Sequence, residues 1–379
     1  MDTQDFEDVL ASVRRFVREE VMPREDDIEA ADEIPVGLRR QARDMGLFGY
    51  ALPEKYGGLG LSMCEEVRLA FELGYTSPAF RSMFGTNNGI AGHVLLDDGT
   101  EAQRDHYLPK LASGEYVASF ALTEAEAGSD PSGLTTSAVR DGDSYVISGS
   151  KRFITNADTA DLFMVFARTD PNEPGTRGIS TFVVPAGTPG LTVGTPDAKM
   201  GQRGAHTAEV FFDDVRVPAD ALVGEGEGGG FGTAMKSLSH GRLHISAVCV
   251  GLGQRLLDES VSYARTREQS GRAIGEYQLI QGLLADSQTD VYAGRSMVRE
   301  AARDYDSGED TKLGPSCSKY FCAEMVNRVA DRAVQIHGGM GYMHGVAAER
   351  FYRDARLFRI YEGTSQIQQV VIAKRLLRG

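Results

Sequence analysis

From about residue 115 to residue 222 the chain changes the period of its apolar residues, and this change constrains the fold more than any other feature. Short runs rich in β-branched and aromatic residues appear at 116–122, 144–148, 162–167, 179–184 and 210–217. Clusters of Gly, Pro, Asp and Asn such as Asp141-Gly142-Asp143 separate them, and no window of helical period interrupts the series. That pattern predicts a small antiparallel barrel or sandwich. On both sides the period is helical. Phe6, Val9, Leu10, Val13, Phe16 and Val17 recur at i, i+3, i+4 and i+7, which gives one apolar stripe. Thr100-Glu101-Ala102-Gln103 has capping-box spacing and should open another helix. The stretch 53–60 is a loop by its Gly and Pro content.

The acidic, glycine-rich stretch 224–232 marks the exit from the β region. It lacks the Lys-Ser/Thr of a phosphate loop, and its glutamates would repel phosphate, so it reads as a hinge or helix lead-in. Beyond it long helices return: Ile245, Val248, Leu252 and Leu256 form one face, Met325 and Val329 belong to a second run, and Ile367, Val370 and Val371 line the last. At 379 residues the chain exceeds one ordinary core. The expected architecture is α+β and multidomain: an all-α N-terminal domain over 1–115, a β domain over 116–222, and a four-helix bundle over 223–379.

Composition enters mainly by exclusion. A net charge of −14 argues against nucleic acid or an anionic membrane as partner, because both demand a cationic face. A local basic pocket for an anionic ligand is compatible with that total. No apolar run approaches the roughly 18 residues needed to cross a bilayer. The N-terminus, Met1-Asp2-Thr3-Gln4-Asp5, is acidic and unlike a signal or transit peptide. Cys64, Cys249, Cys317 and Cys322 show no metal or redox spacing and read as small buried apolar residues, which suits a reducing compartment. A cytoplasmic protein is expected.

Several stretches have the residues for chemistry. Glu362, between Tyr361 and Gly363, stands where the backbone must turn, and Thr364 has the look of a helix cap. A carboxylate on such a corner can point into a cleft. The stretch 120–130, Phe-Ala-Leu-Thr-Glu-Ala-Glu-Ala-Gly-Ser-Asp, ends a β-run in a turn dense in donors, a rim that suits a planar, acceptor-rich ligand. Lys151-Arg152-Phe153-Ile154-Thr155-Asn156 offers an aromatic edge and a hydroxyl at the end of another strand. Gln335-Ile336-His337-Gly338-Gly339-Met340-Gly341-Tyr342 lets backbone approach a ligand closely, but it follows no strand and fails the context test for a Rossmann site. His240 and His244 are four apart on a helix, yet Gly241 stands where a zinc protease motif needs Glu, so no metal site is expected.

In this order and spacing these stretches resemble the acyl-CoA dehydrogenase family, over essentially the whole chain. Leu122-Thr123-Glu124 with Gly128-Ser129-Asp130 is similar to one family signature. Gln335 to Tyr342, continued by Tyr361-Glu362-Gly363-Thr364-Ser365-Gln366, is similar to the other. The resemblance implies FAD between the β domain and the bundle, partly held by a neighbouring subunit. It assigns Leu122, Thr123, Ser129, Phe153 and Thr155 to the flavin side. Arg267, Gln278, Gln335 and Gly339 match positions that hold FAD from the adjacent subunit, and Thr364 and Gln366 match positions near the adenine and pyrophosphate. Ser129, Arg242, Tyr361 and Gly363 match substrate contacts, Arg242 along the CoA pantetheine arm.

Glu362 aligns with the general base of α,β-dehydrogenation. In the family the thioester oxygen is held by the flavin ribityl hydroxyl and the base's own backbone N–H. Some members carry the base on a bundle helix, at the position of Gly241, which has no side chain to act. The resemblance also implies an electron-transfer flavoprotein as acceptor, a homotetramer built from dimers, and a role in fatty acid β-oxidation. Three positions depart from the pattern: Ser270 for a usual Phe, Phe153 for a common Trp, and Ala125-Glu126 for a frequent Pro-Gly. Phe80-Arg81-Ser82-Met83 resembles the segment of glutaryl-CoA dehydrogenases whose arginine meets a distal carboxylate, against the alternative of an Arg81 paired with a nearby Asp or Glu. Rival readings are a same-fold oxidase, a desulfinating or nitroalkane-oxidising flavoenzyme, and a non-catalytic scaffold.

Overall fold

The computed structural model describes residues 2–173 and 175–378. Seven helices form the first part of the chain: α1 (Thr3–Phe16), α2 (Glu25–Ala31), α3 (Val36–Asp44), α4 (Met63–Leu73), α5 (Pro78–Asn88), α6 (Ile90–Asp98) and α7 (Glu101–Ala112). Helix α1 starts at Asp2, whose carboxylate accepts from the Asp5 N–H at 2.8 Å. It buries Phe6, Leu10, Val13 and Phe16, four residues of the stripe read from the sequence. The Thr100 capping box forms in both directions, at 3.2 Å and 3.0 Å. Gln103 reaches further: its Nε2 donates to the carbonyls of Asp220 and Leu222, both at 2.8 Å, and so ties α7 to the end of the β region. Every residue of α5 is buried. It is an interior helix and carries no one-sided stripe.

The strands are β1 (Ala118–Ala121), β2 (Ser137–Asp141), β3 (Ser144–Thr155), β4 (Leu162–Arg168), β5 (Ile179–Pro185), β6 (Leu191–Val193) and β7 (Thr207–Pro218). The path through the sheet is β1-β4-β2-β3-β7-β6, with β5 also paired to β4. Most pairings are antiparallel, as expected. Two joins are parallel, β1 on β4 and β2 on β4 at Ser137–Arg168, because β1 and β2 enter from loops outside the hairpins. Leu162 to Ala167 is buried throughout, which explains why β4 reads as an unbroken apolar run. Strands β2 and β6 were not legible: β2 is mostly polar and exposed along its outer half, and β6 has only three residues. Strand β3 shifts register against β7 twice, the second time between Lys151 and Ile154.

The last part holds α8 (Gly230–Thr266), a hairpin of β8 (Glu268–Gln269) and β9 (Arg272–Ala273), α9 (Gln278–Ser307), α10 (Leu313–His337), α11 (Ala347–Arg356) and α12 (Ser365–Arg378). The glycine-rich lead-in ends in α8, as read. Leu243, Ile245, Val248, Leu252 and Leu256 of α8 pack with Val291 and Val298 of α9 and with Cys322, Met325, Val326 and Val329 of α10. Met63, Val67 and Ala70 of α4 join the same core, so bundle and N-terminal helices share one apolar interior. All four cysteines are free thiols. Cys249 and Cys322 are buried as expected, but Cys64 and Cys317 lie half-buried near the surface. No helix among the described residues is long and apolar enough to cross a membrane.

Glu25 fastens the N-terminal helices to the bundle. Its carboxylate accepts from Thr76 Oγ1 at 2.7 Å, from Arg255 of α8 at 3.1 Å and from Arg350 of α11 at 3.2 Å. All three charged groups are buried. Removing one partner of such a cluster strands the others in a poorly solvating interior, which costs about 3–5 kcal/mol. Glu25→Ala is expected to lower the unfolding free energy by about 3 kcal/mol, read as a lower urea midpoint; an unchanged midpoint would refute the role assigned to this cluster.

Candidate active site

After α11 the chain makes a short 3₁₀ turn over Leu357–Arg359 and then reverses at Glu362 and Gly363, with φ of +54° and +87°. Glycine takes that backbone freely; a glutamate in it is strained by roughly 1–3 kcal/mol and needs outside support. The support is visible. Gln368 Nε2 donates to the carbonyls of Glu362 and Gly363, each at 3.2 Å, and Lys319 Nζ donates to the Gly363 carbonyl at 2.6 Å. Thr364 caps α12 as read, its hydroxyl accepting from the Ile367 N–H at 3.1 Å.

The Glu362 side chain points at α8. A Cβ built on Gly241 would lie 2.6 Å from Glu362 Oε2, so only glycine leaves room for the carboxylate there. Oε2 is buried and has no hydrogen-bond partner among the described residues. Burial raises the carboxyl above the ordinary range, and Arg81, Lys319, Arg242 and His240 pull in the opposite direction without cancelling it. Arg81, Arg242 and Lys319 are all buried. None forms an ion pair with a carboxylate among the described residues; their bonds go to His244, to Ser316 and to the Gly363 carbonyl. The pocket around Glu362 thus holds more positive than negative charge, and an anionic or strongly polarised ligand would complete it.

Arg81 does not pair with an Asp or Glu, the alternative weighed from the sequence. It donates to His244 Nδ1, from Nε at 3.2 Å and Nη2 at 2.9 Å. Burial and the neighbouring guanidinium keep His244 neutral. With Nδ1 accepting, its Nε2–H donates to Tyr50 Oη, 2.6 Å away. His240, the other histidine of the spaced pair, faces Glu66 at 3.0 Å. The two rings serve different neighbours, and no cluster that could hold a metal ion occurs among the described residues.

The β domain presents a second wall. The Arg152 N–H donates to the Thr123 carbonyl at 2.8 Å, which brings together the two β-domain stretches singled out from the sequence. Beneath them Lys151 Nζ meets Glu124 Oε1 at 2.7 Å, both buried, and Lys151 also donates to the Leu122 carbonyl. Burial alone would raise the Glu124 carboxyl, but Lys151, Thr136 and Thr135 outweigh it and hold the group at about 2. Above this pair Phe153 sits in the register shift of β3 with φ +58° and 60% of its surface exposed. Arg152 lies 4.8 Å from its ring centroid. Leu122 is buried, Thr123 and Thr155 are half-buried, and Ser129 is exposed. The hydroxyls of Thr123 and Thr155 have no partner among the described residues. An exposed aromatic held in strained backbone beside two free hydroxyls fits a planar ring system with several acceptors, which is the chemistry of a flavin.

The remaining residues lie on the bundle. Arg267 follows α8 at the β8–β9 hairpin and pairs with no carboxylate among the described residues; Gln278 opens α9; Gln335 is in the last turn of α10 and Gly339 in the 3₁₀ turn that follows it; Gln366 is in the first turn of α12, and all five are exposed. Tyr361 packs against Phe358, ring centroids 5.7 Å apart. Sequence reading missed Lys319, Gln368, His244 as an arginine partner, and Tyr50. Lys319 left a signal: it falls three residues before Cys322 and seven before Val326, on the apolar stripe of α10 where a lysine is out of place.

Family models agree with this geometry. The N-terminal, middle and C-terminal domains of acyl-CoA dehydrogenase match residues 3–115, 119–215 and 228–377. The chain belongs to the acyl-CoA dehydrogenase family. It is 39% identical to an acyl-CoA dehydrogenase of Bacillus subtilis, across 97% of this chain and 96% of that one. It is 38% identical to the caffeyl-CoA reductase-Etf complex subunit CarC of Acetobacterium woodii, across 93% of each. Butyryl-CoA dehydrogenase from Megasphaera elsdenii superposes with a TM-score of 0.95 at 34% identity, covering 100% of both chains. This acyl-CoA dehydrogenase-family chain is an oxidoreductase with FAD as its cofactor. Because Lys151 and Glu124 hold the loop that carries Thr123 to the strand that carries Phe153, Lys151→Met is expected to weaken FAD binding by about tenfold or more, measured by flavin fluorescence titration of the apoprotein. Undiminished affinity in a folded variant would show that the pair supports the β domain alone.

Proposed function

We propose that this acyl-CoA dehydrogenase-family chain removes hydrogen from the α and β carbons of an acyl-CoA thioester to give the trans-2-enoyl-CoA, with Glu362 as the base. The observation that supports this most directly is the buried, unpartnered Oε2 of Glu362 facing Gly241. A carboxylate with one oxygen unbonded and its affinity for protons raised by burial is prepared to take the α-proton. The Glu362 N–H donates to no other group among the described residues. It is available to the thioester oxygen as enolate charge develops, and an oxyanion donor acts at that point. Thr123, Thr155 and Phe153 would hold FAD at the rim, and FAD would supply the acceptor for the hydride leaving the β-carbon.

Arg242 is buried beside the base, and its Nε has no partner among the described residues, which suits the amide oxygens of a pantetheine arm. Ser129, Tyr361 and Gly363 complete the thioester's surroundings in this reading. Arg267, Gln278, Gln335 and Gly339 would reach FAD from the adjacent subunit of a homotetramer built as a dimer of dimers, and Thr364 and Gln366 would lie near the FAD adenine and pyrophosphate. Exposed Leu279, Tyr342, Leu376 and Leu377 on the C-terminal part are consistent with such burial between subunits. The electron partner is an electron-transfer flavoprotein, the compartment the cytoplasm, the three domains span 1–115, 116–222 and 223–379, and the pathway is fatty acid β-oxidation. CarC is named as a subunit of an Etf complex and as part of a reductase, and the same residues would serve the reverse direction.

One observation favours a narrower substrate. Arg81 is buried with no carboxylate partner among the described residues, so a thioester with a distal carboxylate, of the glutaryl type, would pair it. Arg81→Ala is expected to shift preference from glutaryl-CoA toward butyryl-CoA by at least about tenfold in kcat/KM, and an unchanged ratio rules the dicarboxylyl reading out. Glu362→Gln is expected to abolish anaerobic flavin bleaching while thioester binding survives; bleaching at near-native rates would move the base elsewhere. The base must be ionised and its proton affinity is raised, so kcat/KM should fall as pH drops through a value above the ordinary 4.5 of a carboxyl. A limb at or below 4.5 contradicts the assignment.

A further inference from the structure

Lys319 is a fully buried lysine that forms no ion pair with a carboxylate among the described residues. Its neighbours on α10 are apolar or small, and its side chain crosses from the bundle core to the reversal at Glu362 and Gly363. There Nζ donates to the Gly363 carbonyl at 2.6 Å, the shortest of the three bonds that fix this reversal. Gln368 supplies the other two from the first turns of α12. Its Nε2 would also stand 2.6 Å from a Cβ at position 363, so lysine, glutamine and glycine fit together around one carbonyl.

A buried ammonium is expensive, and a neutral helix former would pack α10 at lower cost. What the lysine gains is control of a backbone that a glutamate does not adopt by preference. The reversal sets the direction of both the Glu362 carboxylate and the Glu362 N–H, and the two must face one cleft. Rotating the 361–362 peptide would turn the Glu362 N–H away from the thioester even with the carboxylate kept in place.

We propose that Lys319, with Gln368, is a positioning residue for the dehydrogenation: it holds the Gly363 carbonyl and thereby aims the Glu362 carboxylate and N–H at the same substrate carbon and oxygen. The inference rests on the reading of Glu362 as the base. Lys319 has a second effect that Gln368 lacks. Its charge, together with Arg81, Arg242 and His240, opposes the rise that burial imposes on the Glu362 carboxyl. The charged groups acting on that carboxyl are thus Arg81 from α5, Arg242 and His240 from α8, and Lys319 from α10, with the Tyr361 and Tyr50 hydroxyls and the Cys249 thiol as further titratable neighbours.

The two effects separate experimentally. Lys319→Met removes bond and charge, Lys319→Gln removes the charge and keeps an amide donor, and Gln368→Leu removes bonds alone. Wild type, these three variants and Glu362→Gln are loaded with FAD. They are mixed anaerobically with butyryl-CoA, isobutyryl-CoA, 3-phenylpropionyl-CoA and glutaryl-CoA, and the thioester that bleaches wild type fastest is used throughout. Displacement of a reacting group by about 1 Å costs about 10²-fold in rate. Lys319→Met is expected to lose about 10²-fold in kcat with KM within about threefold, the mark of an interaction made in the transition state. Gln368→Leu should lose rate with its pH limb unmoved. In both Lys319 variants the acid limb should move to higher pH, because a carboxyl that loses a nearby cation binds its proton more tightly.

A lysine that only packs α10 would lower stability and leave the limb in place. Wild-type kcat and an unmoved limb in Lys319→Met, beside an inactive Glu362→Gln, overturn the inference and leave the base assignment standing. An active Glu362→Gln overturns the base assignment itself. Failure of both Lys319 variants to fold or bind FAD, with Gln368→Leu at the wild-type rate, also overturns it, since Lys319 is then a folding residue.

Discussion

The site depends on how one carboxylate is kept in a buried, cation-rich pocket without being neutralised by an ion pair. Glu362 has Arg81, Arg242 and Lys319 near it, yet each spends its hydrogen bonds elsewhere, on His244, Ser316 and the Gly363 carbonyl. Direct pairing would lower the carboxyl's proton affinity and block Oε2. Placing the cations one shell away tempers the effect of burial and leaves the oxygen open. The surplus positive charge then has a use, because proton abstraction next to a thioester puts negative charge on its carbonyl oxygen. Gly241 completes the arrangement by omission: a side chain there would occupy the space the carboxylate fills.

The rest of the fold holds this pocket's walls at fixed distances. Helix α8 carries Gly241 and Arg242, α10 carries Lys319, and α5 carries Arg81; the first two share an apolar core with α4, while α5 is buried along its whole length. Close-packed interiors resist compression, so core packing holds the helices that carry the three cations at fixed spacing. Two buried ionic clusters fasten the pieces together. Glu25 joins the N-terminal helices to α8 and α11, and Lys151 with Glu124 locks the 122–124 loop to β3 at the β rim. Each cluster is costly to break one partner at a time, which makes it a device for fixed geometry more than for net stability.

Legibility followed the range of the interaction. Helix α1 and the Thr100 capping box could be read because they depend on residues three or four apart. Strand β4 could be read because burial on both faces leaves a continuous apolar run. Strand β2 could not: its pairing to β3 and β4 comes from its place in the sheet, and its own residues are polar. In the site, the Glu362 corner, its Thr364 cap and the missing side chain at Gly241 were visible as local chemistry, and the family resemblance joined them. Lys319 was visible only as a lysine on the wrong face of a helix. Tyr50 and His244 gave no sign of meeting Arg81, since they come from three separate elements.

By itself the sequence determined the order of helical and β regions, the turn at Glu362, the absence of a rival base at position 241 and the family to which the chain belongs. These are properties of residue type and spacing along the chain, and they hold wherever the segments end up. The tertiary structure decided what surrounds Glu362: that Oε2 faces Gly241, that Arg81 bonds a neutral histidine and no acid, and that Lys319 and Gln368 fix the reversal. The reason is physical. Electrostatic environment and backbone support depend on distances of a few ångströms between residues far apart in the chain, and those distances exist only once helices, sheet and bundle have packed into one interior.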